Sequence, residues 1–433
     1  MGAGDNWTTF AHDYQRTGFE PGLTQLSATT VSKLRLRWRK DVGDEIYASP
    51  LAYAGNIIIV TRGTAKSATA GSIVYDFRAK DGRELWRFAM GAGAKMTPTI
   101  DPEAGLVIVG NAQRDRRKPS YLFALRLLDG SVAWRQQIHG TLRAVPVVVG
   151  GRVYVGRAGG DPPECLQGGI TALDESTGKI EWNWYVDSRP HEGGSVWGAI
   201  AYDGAHLIFG TGNTCQQPVP TANGAVALGL DGKLVWSIVA VKDSYFDSDT
   251  GSGVMLFGGR AHFMNKNGRL YAVGQETGKL EWTTDLNPSA GSPVWLGGFA
   301  TPSTDGSTIA EGSGLFKNGN SAVSGDYCLL TVVKPDEAFA GLYSKLQGMG
   351  MSGRILWTRT MQNRLVGYVA LVRGLGFVGL NRNFAALDLH TGKTLWSYHV
   401  SSYIDASMVV VPSGVYGADA GGNVYAFALP SEH

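Results

Sequence analysis

Apolar and polar residues alternate along most of this chain in short runs, broken by Gly, Asp and Asn. Alternation of period two is the strand signature, and no sustained helical stripe interrupts it, so the pattern predicts an all-β chain. One unit recurs. "YDFRAKDGRELW" closes on Trp86, "FALRLLDGSVAW" on Trp134, "ITALDESTGKIEW" on Trp182, "AVALGLDGKLVW" on Trp236, "YAVGQETGKLEW" on Trp282 and "AALDLHTGKTLW" on Trp396. "MSGRILW" is a degenerate copy ending at Trp357, and "KLRLRW" carries only the second half, ending at Trp38. In each full unit a strand enters a D-x-x-T/D-G turn, whose glycine supplies a positive φ, and a second strand leaves toward Trp.

The first four of these tryptophans are 48 residues apart, and the later gaps are 54, 46, 75 and 39. A mean repeat of about 45 residues matches a four-stranded propeller blade. A second hairpin lies between successive units, as in "ASPLAYAGNIIIVTRG" and "AVPVVVGGRVYVGRAGG". The expectation is one eight-bladed β-propeller over residues 1–433, with four-stranded antiparallel blades. "NVYAFAL" near residue 429 and "KLRLRW" are each half a blade, and their pairing would close the ring and remove its free edges. The eight repeat tryptophans read as packing between blades. The seventh unit is irregular, and "VVKPDEAFAGLYSKLQGMGMSG" (332–353) reads as an insertion inside its turn, either a lid or a surface loop.

Composition narrows the function. The 60 glycines fit many tight turns better than three unrelated compact domains. A net charge of +2 gives no electrostatic case for nucleic acid or a membrane surface. No apolar run reaches the roughly 18 residues of a membrane-spanning helix, and "MGAGDNWTTF" shows no signal peptide. Cys165, Cys215 and Cys328 allow one disulfide at most. There is no C-x-x-C-H for haem, no phosphate-binding loop and no G-x-S-x-G. "HEGG" at His191 is not a zinc-protease motif, and the histidines show no metal-ligand spacing.

Eight blades with A-x-D-x-x-T-G-x-x-x-W repeats resemble the quinoprotein propeller superfamily over nearly the whole chain. That group includes dehydrogenases using pyrroloquinoline quinone (PQQ) and catalytically silent relatives. "VWGAIAYDGAHLIFGTGN" is similar to the family's W-G-x-x-x-Y-D segment and the strand ending G-T-G-N. The resemblance implies that Trp197 is the floor under the quinone and Asn213 a ligand of the cation beneath it. A plain channel-mouth aromatic and a turn-capping amide are the alternatives. In "KDSYFDSDTGSGVML" the resemblance places Asp247 as base and metal neighbour, after Phe246 where the family has Trp. Asp249 follows at the offset of lanthanide-type members. Alternate strand residues share a face, so both carboxylates would meet in the channel and call for a cation. Their hard oxygens suit Ca²⁺ or a lanthanide, and a solvated Asp-rich turn is the alternative. In "HFMNKNGRLYAV" the matching basic residue, Lys266, would contact the quinone oxygens, although Asn265 to Gly268 is also a good turn. "GGDPPECLQGGITALD" offers Glu164 as a last cation ligand on a looser match. Cys165 and Cys215 fall in loops expected at the same mouth and form a candidate disulfide. The pair of adjacent cysteines frequent in quinone alcohol dehydrogenases is absent.

The resemblance therefore implies an oxidoreductase that oxidises a small alcohol-type substrate with PQQ and a cation, Asp247 and Lys266 serving catalysis. A protein electron acceptor is its candidate partner, and a periplasmic or secreted location its expected setting. Two further readings stay open. One is a scaffold or ligand-binding propeller like the lipoprotein of the outer-membrane assembly machinery. The other is a metal-dependent hydrolase without quinone.

Overall fold

In the computed structural model the chain folds into eight antiparallel sheets, seven of them built around four consecutive strands. The structure describes residues 6–430 except 23–24, 65–70, 113–117, 160–164, 216–218, 242–248, 268, 286–295, 298–300, 307, 316–342, 362–366 and 373. Blades are numbered here by their repeat tryptophans, so blade 1 carries Trp38. Blade 2 shows the pattern: Leu51–Tyr53 is innermost, Asn56–Val60 and Ile73–Arg78 follow, and Glu84–Ala89 is outermost. The second strands are apolar almost throughout, as in Leu106–Gly110, because both of their faces lie against neighbouring blades. Blade 1 is composite. Arg35–Asp41 pairs antiparallel with Asn423–Ala428, and the ring closes through the two ends of the chain.

The repeat glycine is required twice over. Gly82 has φ +68°, a left-handed conformation that costs glycine little, and a Cβ there would run into the indole of Trp38. Gly130 and Gly178 sit the same way on Trp86 and Trp134. The indole N–H then reaches the next blade. Trp38 donates to the carbonyl of Ala79 at 2.8 Å, Trp86 to Leu127 at 2.9 Å and Trp236 to Gln275 at 2.8 Å. Trp396 donates to Leu34 at 3.3 Å, which carries the pattern across the closure. Burying about 150–250 Å² per indole stabilises by at most about 4–6 kcal/mol each. Trp282 departs from the pattern, its buried indole N–H having no partner among the described residues. Its neighbour is the irregular blade 7.

Blade 7 corrects one expectation. Within 332–353, residues 332–342 lie outside the described residues, but Tyr343–Gly350 is a regular strand, paired with Thr308–Leu315 and Ile355–Met361. The sequence obscured it because "YSKLQGMG" has little of the β-branched, alternating character seen elsewhere.

An unforeseen element is the N-terminal segment, which laces the inside of the ring. Asn6–Trp7 pairs with Leu51–Tyr53 of blade 2. The carbonyl of Thr8 then accepts from Ile100 of blade 3, and the hydroxyl of Tyr14 from Val148 of blade 4. The carbonyls of Tyr14, Gln15 and Thr17 accept from Tyr202, Leu256 and Thr304 of blades 5, 6 and 7. Gly18 and Glu20 exchange bonds with Leu371 of blade 8. The lace fills the channel alongside the innermost strands and leaves an opening at their N-terminal ends.

Its stability is expected to depend on pH through His12. The ring stands edge-on to Trp7, with Nδ1 3.4 Å from Asp13 and Nε2 3.5 Å from Glu20. Burial disfavours its charge, but hydrogen bonds to the two carboxylates outweigh burial and raise the pKa to about 9. A raised pKa stabilises most below the unfolded value of about 6.5, and the gain is lost as pH rises through the folded value. The unfolding free energy from urea titration should therefore fall by up to about 3 kcal/mol between about pH 6.5 and 9, and His12→Gln should flatten that slope. An unchanged slope in the variant would refute the assignment.

Candidate functional site

The innermost strands begin at equivalent places in every blade, so their preceding loops form a ring around the open mouth. Tyr47, Lys95, Arg143, Trp197, Gly251 and Asp405 each stand four residues before the start of an innermost strand, and all six line one cavity. The backbone repeats, but the side chains do not. Two aromatics, two cations, an acid and a glycine face the same space.

The glycine explains the tryptophan. A Cβ at Gly251 would run into the six-membered ring of Trp197. The indole of blade 5 thus lies across the place that a side chain of blade 6 would fill. It is half-buried and presents a flat apolar surface to the cavity. Further in, Gly253 donates its N–H to Thr301 Oγ1 at 2.9 Å, which ties blade 6 to blade 7 below that surface. Phe10 of the lace also lines the cavity. The described walls enclose about 170 Å³.

Beside Trp197 sits a buried ion pair. Lys266 Nζ lies 2.8 Å from Asp249 Oδ2, and both residues are almost inaccessible. Asp249 Oδ1 accepts the backbone N–H of Asn213 at 2.8 Å. The Lys266 N–H also donates to the Asp249 carbonyl at 3.0 Å. Lys266 Nζ lies 5.5 Å from the Trp197 ring centroid, within range of a cation–π contact. The structure thus gathers Trp197, Asn213, Asp249 and Lys266 from three separated stretches of sequence. Asp247 and Glu164 lie outside the described residues. Asp249 itself sits in a connection before Met255–Phe257 rather than on a strand, so strand alternation does not govern where it points.

Charge in the cavity is uneven. Arg62, Lys95 and Arg143 stand on neighbouring blades 2, 3 and 4, against the single acid Asp405 among the described lining residues. Arg62 is steadied by Glu45 at 2.7 Å and the Tyr47 hydroxyl at 3.0 Å, and its guanidinium lies over the Tyr47 ring. The sequence reading missed these cations. For Lys95 and Arg143 the signal was positional: "YASP", "KMTP" and "RAVP" precede three successive innermost strands, and the variable first residue of each faces the cavity.

Cys165 and Cys215 are joined in a disulfide at this mouth. Among the described residues no three His, Cys, Asp or Glu side chains gather as a metal site. No helix among them is long and apolar enough to cross a membrane.

Comparison with known proteins agrees with the propeller fold. The profile of the PQQ_2 family, described as outer membrane protein assembly factor BamB, matches residues 70–299 and 346–429. The quinohemoprotein alcohol dehydrogenase ADH IIB of Pseudomonas putida is 25% identical over 357 residues, covering 67% of this chain and 50% of that protein. The chain thus spans about half the length of the curated relatives it matches first. Among solved structures, the quinohemoprotein alcohol dehydrogenase ADHIIG of Pseudomonas putida HK5 superposes with a TM-score of 0.78 at 18% identity, over 99% of this chain and 82% of that one. A europium-containing methanol dehydrogenase superposes with a TM-score of 0.75 at 16% identity, over 98% of each chain.

Proposed function

We propose, because the chain belongs to the propeller family described as outer membrane protein assembly factor BamB and shares the fold of quinoprotein alcohol dehydrogenases, that it binds PQQ at the channel mouth and oxidises a small alcohol-type substrate. The observation that carries this reading is the pairing of a flat indole with an arc of three cations in one cavity. PQQ is a planar fused aromatic with three carboxylates, so the donor set fits its shape and charge. When bound, it would supply an o-quinone that accepts hydride from an alcohol carbon.

The protein's own residues would do the rest. Trp197 offers the stacking face, and Gly251 leaves that face in place by lacking a side chain. Arg62, Lys95 and Arg143 would meet carboxylates. Lys266, fixed by Asp249, would hold a positive charge near the reacting oxygens, which favours charge developing there. Asp247 is the proposed base for the alcohol proton. The cation fits less well. Of its proposed ligands Glu164, Asn213, Asp247 and Asp249, the last already has both oxygens engaged by Lys266 and the Asn213 N–H. No step is therefore assigned to Ca²⁺ or a lanthanide. A periplasmic or secreted setting suits the disulfide, which persists in oxidising compartments. A protein electron acceptor would be the partner of such a dehydrogenase, taking the electrons that the alcohol gives up.

The same ion pair favours a second reading. An ammonium and a carboxylate already matched to each other, as Lys266 and Asp249 are, also suit a scaffold or ligand-binding propeller, in keeping with the family's description. Titration separates the two. Metal-stripped protein should take up PQQ saturably, followed by tryptophan fluorescence and calorimetry, without and with Ca²⁺ or La³⁺. Trp197→Ala should weaken uptake about ten- to hundredfold through lost stacking. No uptake under any of these conditions would leave the scaffold reading standing.

A further inference from the structure

The disulfide closes over the segment that delivers Trp197. Gly193 donates its N–H to the Cys165 carbonyl at 3.2 Å, and Cys215 donates to the Glu192 carbonyl at 2.7 Å. Gly193 and Thr214 form an antiparallel bridge, and Gly194 donates to the Asn213 carbonyl at 3.2 Å. Residues 192–194 therefore lie between the two half-cystines, which the S–S bond joins across a separation of 50 residues. Trp197 follows a few residues later. On the other side Asn213, two residues before Cys215, holds Asp249 and through it Lys266. One covalent link thus stands behind the indole, the carboxylate and the ammonium. Cys165 itself has φ +43°, a left-handed conformation unfavourable for a non-glycine residue, which persists where the surroundings impose it.

We propose that Cys165–Cys215 is a positioning element for the cavity, fixing Trp197 and the Asp249–Lys266 pair, so that its reduction loosens ligand binding while the propeller stays folded. The fold should survive because neither cysteine lies in a blade strand. Both are half-buried, within reach of a small dithiol. In the reduction, one thiolate of the dithiol attacks a cystine sulfur and the other cysteine leaves as thiolate. The second thiol of the reagent then displaces the first cysteine. Two cysteine thiols and one oxidised, cyclised reagent result.

The affinity arm of the test rests on the PQQ reading, and the spectroscopic arm does not. Protein labelled with 5-fluorotryptophan would be compared oxidised, reduced by dithiothreitol, and as the C165S/C215S variant, with the Trp197 resonance assigned from Trp197→Phe. Reduction, verified by a rise of two free thiols, should shift or broaden the Trp197 fluorine line and leave those of Trp38, Trp86 and Trp134 in place. PQQ affinity should fall about ten- to hundredfold, as when a supporting shell is lost. The C165S/C215S variant should match the reduced state and ignore dithiothreitol. An unmoved Trp197 line after verified reduction would overturn the proposal, and so would collapse of all the tryptophan lines together. If the oxidised protein takes up no PQQ, the functional reading fails, and the Trp197 line alone decides the role of the disulfide.

Discussion

Replacing Arg16 by methionine is expected to cost about 2–5 kcal/mol of stability, because buried acceptors lose their donor at about 1–3 kcal/mol each. Arg16 is wholly inaccessible, although it belongs to a segment with almost no regular structure. Its Nε donates to the Ile200 carbonyl at 2.7 Å. Its Nη1 donates to the Thr9 hydroxyl and the Phe10 carbonyl at 2.7 and 2.8 Å, and to the Asp13 backbone carbonyl at 3.3 Å. Burial opposes its charge strongly enough to bring the pKa down to about 10, yet it remains a cation at neutral pH. Methionine removes that desolvation cost but takes the guanidinium from the Ile200 and Phe10 carbonyls, at about 1–3 kcal/mol for each one left dry, while the Asp13 carbonyl keeps the backbone N–H of residue 16 and the Thr9 hydroxyl keeps Thr99. The second effect wins. The urea midpoint should drop with little change in slope, and limited proteolysis should begin to cut near the N-terminus. A loss below about 1 kcal/mol would mean that water replaces the guanidinium and that the lace is not locked by it.

Joint removal of Lys95 and Arg143 should weaken PQQ uptake on the order of 100- to 10,000-fold, from about 1.5–3 kcal/mol for each charge-assisted bond. Alternative causes can be separated by sign. Asp405→Asn removes the one opposing charge described in the lining and should strengthen uptake. The salt dependence should flatten in the double variant and not in Asp405→Asn. Both residues stand in loops ahead of the innermost strands, so thermal stability should change little in either case. Equal affinity in the wild type and the double variant would remove the anion-binding argument altogether.

Much of the architecture was legible because this fold repeats its chemistry as well as its shape. The turn glycine and the outer tryptophan recur together since each needs the other: Gly82 lies on Trp38, Gly130 on Trp86. A motif written eight times survives the degeneracy of any one copy. The lace was not legible for the opposite reason. Residues 6–20 engage the blades chiefly through main-chain carbonyls, and a carbonyl leaves no trace in a sequence. At the mouth, Trp197, Asn213, Asp249 and Lys266 could be read from local motifs. Lys95, Arg143 and Asp405 could not, because residues in equivalent positions carry unlike side chains. Function there consists of departures from the repeat, and periodicity is blind to them.

The composite blade sets the order in which the molecule can be completed. Arg35–Asp41 is made long before its partner Asn423–Ala428. At about 5–20 residues per second, that strand waits on the order of 20–80 s during synthesis. An unpaired strand invites pairing with other chains, and natural edges are defended by charge. This one reads Arg35, Leu36, Arg37, Trp38, Arg39, Lys40, and its four cations remain exposed even after the ring has closed. These basic residues, of which Arg39 also binds Asn423 and lies over Tyr425 in the closed blade, are well suited to keeping its first half soluble until the ribosome supplies the second.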